Sequence, residues 1–149
     1  MSLFEKINED LKSAMKNKEK EKLEAIRAVK TAFLLAKTEA GAEEQLSEEL
    51  ELKIVQKLVK QRKDSASEYI TQNRKDLADK ELAEANFIAA YLPSQMSEAE
   101  LEIEIKKIIE ETGATSIKEL GKVMGVASKK LSGKTDNSSI SNVVKKLLS

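Results

Sequence analysis

Proline occurs once in this chain, at Pro93, and only five glycines accompany it in 149 residues. A chain this poor in the two residues that break helices has few places to stop a helix once one has started. Hydrophobic residues make up 40% and charged residues 35%, while aromatics are only 3%. That mixture suits helices that bury aliphatic stripes and turn a charged face outward. The expected fold class is all-α.

The apolar spacing divides the chain into seven helices. Leu3, Phe4, Ile7, Leu11, Ala14 and Met15 follow the i, i+3, i+4, i+7 pattern of an amphipathic helix. Ala25, Val29, Ala32, Phe33, Ala36 and Ala40 form one face of a second helix, widened by Leu23, Ile26 and Leu34, with Gly41 as its C-cap. A third begins after Ser47 and runs to about residue 72, carrying Leu50, Ile54, Val55, Leu58, Val59, Ala66 and Tyr69. Leu77, Ala85, Ile88 and Tyr91 mark a fourth that ends at Leu92-Pro93, because the residue before proline is pushed out of helical geometry.

Beyond "LPSQMS" (92–97), Ser97-Glu98-Ala99-Glu100 has the form of a capping box. The fifth helix turns Leu101, Ile105, Ile108 and Ile109 inward and stops at Gly113. Ser116-Ile117-Lys118-Glu119 repeats the box and opens a sixth, with Leu120, Val123, Met124, Ala127 and Leu131 inward. Asn137 or Ser138 is expected to cap the seventh, which carries Ile140, Val143, Val144, Leu147 and Leu148. The expected architecture is an N-terminal four-helix domain, 1–93, joined at a proline hinge to a small C-terminal three-helix domain, 94–149. A unit of that size is marginal alone.

Histidine and cysteine are both absent. Their absence removes the commonest general base, thiolate chemistry, tetrahedral Cys/His zinc sites and Ser-His-Asp triads. A di-metal carboxylate bundle loses its usual Glu-x-x-His ligand pair as well. No catalytic residue, metal or cofactor is expected. No apolar run approaches the ~18 residues of a membrane span, so no membrane is expected, and cytoplasm is the expected compartment.

The zero net charge excludes a chain-wide basic field but conceals an asymmetry. Residues 97–112 hold six glutamates against two lysines, whereas 113–149 hold seven lysines against Glu119 and Asp136. The basic end contains "ELGKVMGVASKKLSGKTDN" (119–137), and three readings of it compete. Gly133-Lys134-Thr135 matches the end of a phosphate loop, but Ser128 stands where its first glycine belongs and no strand precedes it; a helix end and a turn fit better. On a wheel at ~100° per residue, Gly121, Gly125, Ser128 and Ser132 form a stripe of small residues beside the core stripe. Two interior glycines each cost roughly 1 kcal/mol against alanine. Either a neighbouring helix crosses tightly over them, or the stripe is a docking face, flanked by Lys118, Lys122 and Lys129, for a partner or a sugar-phosphate backbone. In the N-terminal half, Arg62, Asp64, Arg74, Asp76, Glu81 and Glu84 suggest an ion-pair network tying the third helix to the fourth. A paired-carboxylate site from Glu81 and Glu84 is the weaker alternative.

Taken in order, "EAIRAVK", "KQRKDSASEY", "NRKDLADKELAE", "YLPSQMSEAEL", "ELGKVMG" and "GKTDN" resemble the YqeY-like proteins. These share a fold with the tail of the B subunit of the tRNA-dependent amidotransferase. Two positions depart from the family pattern: Ile26 stands before Arg27 where leucine is usual, and Asn137 follows Asp136 where glycine is usual. The resemblance implies an all-helical protein in two parts, with tRNA as partner and amidotransferase subunits or another protein as alternatives. It carries the tRNA-holding role to Gly121, Lys122, Met124, Gly125, Gly133 and Asp136, with Lys118, Ser128, Lys129 and Lys134 around them. It does not carry catalysis, although the family label implies a carbon–nitrogen ligase with glutamine as amido-N-donor.

Overall fold

The computed structural model describes residues 2–40 and 46–149, and every described element is helical. In order these are α1 (Leu3–Lys16), α2 (Lys20–Ala40), α3 (Glu48–Thr71), α4 (Lys75–Ala89), α5 (Glu98–Thr112), α6 (Leu120–Lys130) and α7 (Asn137–Leu148), with a 3-10 turn, Ile117–Glu119, leading into α6. The expected C-cap Gly41 and the side chain of Ala40 lie outside the described residues.

The chain divides into two compact units, Met1–Leu92 and Pro93–Ser149, each with its own core. In the first, Phe33, Ile7, Ile26, Val29, Val55 and Ile88 are fully buried, drawn from all four helices. The second is aliphatic throughout: Ile105 and Ile108 of α5, Val123 of α6, and Ile140 and Val144 of α7 close on one another. At ~25 cal/mol per Å² of buried apolar surface, these side chains supply most of the drive for folding.

Short polar residues start the helices. Ser2 accepts from the Glu5 N–H at 3.2 Å while the Glu5 carboxylate accepts from the Ser2 N–H at 2.9 Å, a complete capping box. Ser47 accepts from the Leu50 N–H and Ser97 from the Glu100 N–H, each at 3.2 Å. The reciprocal half of the expected Ser97 box is replaced: the Glu100 carboxylate takes the Ser97 hydroxyl at 3.0 Å. Gly113 ends α5 with φ 71°, the left-handed geometry that glycine adopts at least cost.

Several expectations need correction. The box at Ser116 does not form; the Glu119 carboxylate accepts from the Thr115 N–H at 2.6 Å, and α6 opens through the 3-10 turn. Asp136, not Asn137 or Ser138, caps α7, its carboxylate accepting from the Ser139 N–H at 2.7 Å. Helix α4 stops at Ala89 because Tyr91 and Leu92 bond three residues back, to Ile88 and Ala89. The turn tightens ahead of Pro93. The buried residue near the start of α4 is Ala78, and Leu77 is half-buried. Met15, Leu34 and Leu50, expected inward, are exposed, since each sits past the edge of the stripe that neighbouring helices cover.

Candidate nucleic-acid or partner interface

The Pro93–Ser149 unit presents α6 between two helices. One side of α6 is fastened to α7, where the Ser128 hydroxyl donates to Asn137 Oδ1 at 3.2 Å. The other meets the end of α5: Lys122 Nζ donates to the Thr112 carbonyl at 2.9 Å, and Lys130 Nζ reaches the Glu111 carboxylate at 2.6 Å. A lysine near the last carbonyls of a helix also complements their partial negative charge.

The face between these contacts is open. Gly121 and Gly125 are exposed, and a Cβ built on either would meet no heavy atom within 4 Å beyond its own helix backbone and chain neighbours. The tight helix crossing that the small-residue stripe suggested is therefore absent among the described residues. Lys129 lies exposed beside the glycines and Lys118 stands exposed in the 3-10 turn, neither with an ion-pair partner among the described residues. Lys122 joins them as a cation whose ammonium is bonded to a neutral carbonyl, with no ion pair among the described residues.

The other candidates are occupied by folding. Met124 is half-buried against the core. Gly133 is buried at φ 77°, and its carbonyl accepts from Gln95 Nε2 at 2.8 Å. The Lys134 carbonyl accepts from the Met96 N–H at 3.0 Å, while its own N–H donates to Leu131. Gly133-Lys134-Thr135 is thus a turn that secures the segment after Pro93, and Asp136 is committed to its cap. Of the ten positions, Gly121, Lys122, Gly125 and Lys129 lie exposed along one side of α6 by helical spacing, with Lys118 exposed in the turn ahead of it.

In the first unit the expected network resolves into separate pairs. Arg62 Nε meets Glu84 Oε2 at 3.2 Å, both side chains largely buried, and Arg62 Nη1 donates to the Leu58 carbonyl. This pair ties α3 to α4. Arg74 grips Asp76 with two bonds of 3.2 and 3.1 Å, but only two residues away and in solvent. The guanidinium holds the Asp76 carboxyl below its usual range. Asp64 faces Lys60 at 3.9 Å on α3 itself, and Glu81 has no ion pair among the described residues. Since Arg62 takes the Glu84 carboxylate, the two glutamates do not form a free acid–base pair.

Sequence reasoning missed Glu51, which is only 5% exposed and accepts a hydrogen bond from the Phe4 N–H at the start of α1. Burial pushes its carboxyl above the usual range, and the Phe4 bond and nearby Lys37 oppose that shift. Ser2, Phe4, Glu5, Lys37, Leu46 and Glu51 line a cavity of about 230 Å³ there. The sequence signal was a glutamate four residues before Val55, on the inward face of α3. No group of three or more Asp or Glu able to hold a metal occurs among the described residues. No helix among them is long and apolar enough to cross a membrane.

The sequence model of a family described as Yqey-like protein matches residues 4–148. Among curated relatives, a protein of Meyerozyma guilliermondii is 38% identical over 88 residues, covering 59% of this chain and 45% of its own length. One of Vanderwaltozyma polyspora is 38% identical over 101 residues, covering 67% and 54%. One of Saccharomyces cerevisiae is 34% identical over 107 residues, covering 68% and 55%. All three are named altered inheritance of mitochondria protein 41, mitochondrial, and the chain spans about half the length of these relatives. That name places the relatives in a compartment other than the cytoplasm expected for this chain.

Proposed function

The chain belongs to the YqeY-like protein family, and from that premise we propose that it is a non-catalytic helical protein that docks on tRNA, alone or beside an amidotransferase. The observation that carries this reading is the open face of α6, where Lys118, Lys122 and Lys129 flank bare backbone at Gly121 and Gly125. Lysines in that setting meet phosphates and position a nucleic acid without reading its sequence. The lack of histidine and cysteine supports a holding role over the glutamine-dependent ligase alternative, which an ammonia-release assay on the purified chain would reveal. The cytoplasmic location remains part of this proposal, and fractionation of cells expressing the tagged chain tests it.

The test is a filter-binding titration of the whole chain with bulk tRNA at low salt, where phosphate contacts are strongest. Binding is expected, and Lys129→Glu should weaken it about tenfold while leaving the melting temperature unchanged. Lys129 is preferred to Lys122 because Lys122 also holds the end of α5. No measurable affinity at low salt would remove the proposal.

The openness of the glycines also favours a second reading, a protein adaptor whose partner lays a helix across them. Gly125→Leu would then abolish capture of an amidotransferase partner, while Lys129→Glu would do little. The two substitutions separate the readings.

A further inference from the structure

The unit Pro93–Ser149 contains no phenylalanine, tyrosine, tryptophan or arginine; the aromatics stand at 4, 33, 69, 87 and 91 and the arginines at 27, 62 and 74. This composition bears on what kind of nucleic acid the α6 face could take. Single-stranded RNA, loops and bulges are recognised by stacking unpaired bases on aromatic rings or guanidinium planes, worth ~1–3 kcal/mol per base. The unit has nothing to stack on. It also lacks the planar fork that reads a base edge with two parallel bonds.

What it does have is a cationic row carried along one helix. Lys122 and Lys129, seven residues apart, fall within about 20° of one line along α6 and about 10 Å apart along its axis. Lys118 stands in the turn just ahead of them. Two acidic residues of this unit, Glu119 and Glu111, are committed to the Thr115 N–H and to Lys130. Cations spaced along a helix axis suit a phosphate row whose own spacing is already set. A flexible single strand would lose its conformational freedom on the same surface with no stacking to offset the loss. Without side chains at Gly121 and Gly125, the helix backbone can approach a shallow surface closely. The A-form minor groove is wide and shallow and displays 2′-hydroxyls.

We infer that the α6 face of this unit takes the backbone of double-helical RNA, a stem and not a loop or single strand, and takes it without regard to sequence. This inference rests on the docking role proposed above and narrows it to one class of nucleic acid.

Fluorescence anisotropy on the whole chain tests it with three probes: a short blunt RNA duplex, the same duplex with its base pairs permuted, and oligouridine of equal length. At low salt the duplex should bind at least about tenfold tighter than oligouridine, since the α6 unit has no ring or guanidinium on which unpaired bases could stack. The permuted duplex should match the first within about threefold. The plot of log K against log salt should slope at about −3 for three lysine contacts, and Lys118→Ala with Lys129→Ala should remove about two from that slope. Oligouridine binding as tightly as the duplex, or a difference above about tenfold between the two duplexes, would overturn the inference and leave the docking role standing. Binding of tRNA without binding of either duplex would do the same. Failure of tRNA and of all three probes would remove both.

Discussion

At the scale of single residues, Lys18 adopts φ 57°, and the chain leaves α1 through a left-handed turn closed by bonds from Lys18 and Glu19 to Met15 and Ala14. A β-carbon is unfavourable there, so Lys18→Gly should stabilise the protein by about 0.5–1 kcal/mol, read from urea unfolding. At Gly121 and Gly125 the reverse change fits. Each is helical with open space for a Cβ, so Gly121→Ala and Gly125→Ala should each stabilise by up to about 1 kcal/mol. A loss of that size in place of a gain would mean that something in the folded chain needs the space. Glu51 gives a prediction in pH. Its folded-state pKa is raised, so its contribution is most favourable below the ordinary glutamate range and is lost as pH rises through the folded value. Glu51→Gln can keep the bond from Phe4 without the buried charge. It should melt higher than the wild type at neutral pH, with the gain vanishing at low pH in a series of thermal melts.

At the scale of elements, caps and hairpins decide where helices begin and end. Asp136→Ala leaves the Ser139 N–H unpaired and should cost about 1 kcal/mol, seen in denaturant unfolding monitored by circular dichroism. The α3–α4 hairpin depends on Arg62 and Glu84, which are about one-sixth exposed. Removing either alone strands the other, at a cost of about 2–3 kcal/mol after allowance for that exposure. The double replacement should cost less than the two single ones added together. Much of this level was legible beforehand. The stripes at Ile7, Val29, Val55, Ile105 and Val123 all turn inward, and Ser47, Ser97 and Gly113 stand at the ends where they were expected. The misses have local causes. Asp136 and Asn137 are equally good caps by type, and only the chain's path chose between them. Glu119 could reach either of two backbone amides. Pairings across helices, such as Lys130 with Glu111, have no sequence spacing that announces them. For the same reason the open face of α6 was visible as a stripe, but its openness was not.

For the molecule as a whole, the two cores share no residue. Both tyrosines, Tyr69 and Tyr91, belong to the Met1–Leu92 unit, and Tyr91 donates to Asp10 at 2.6 Å, which makes its fluorescence sensitive to that unit's packing. Loss of helix followed by circular dichroism should therefore begin at lower denaturant than the change in tyrosine emission, because the unit with 57 residues has the smaller core. Ile105→Ala should lower the first transition by about 2–5 kcal/mol and leave the tyrosine transition in place. Coincident curves for wild type and variant would show one cooperative molecule. The open face of α6 has a last, practical consequence. Because the chain lacks cysteine, Gly121→Cys or Gly125→Cys would create the only thiol in the protein, at a position where the first side-chain atom displaces nothing. A spin label or fluorophore attached there would tumble freely in the isolated protein and slow when something settles on the face. It would report the arrival of a partner before anyone knows which partner to add.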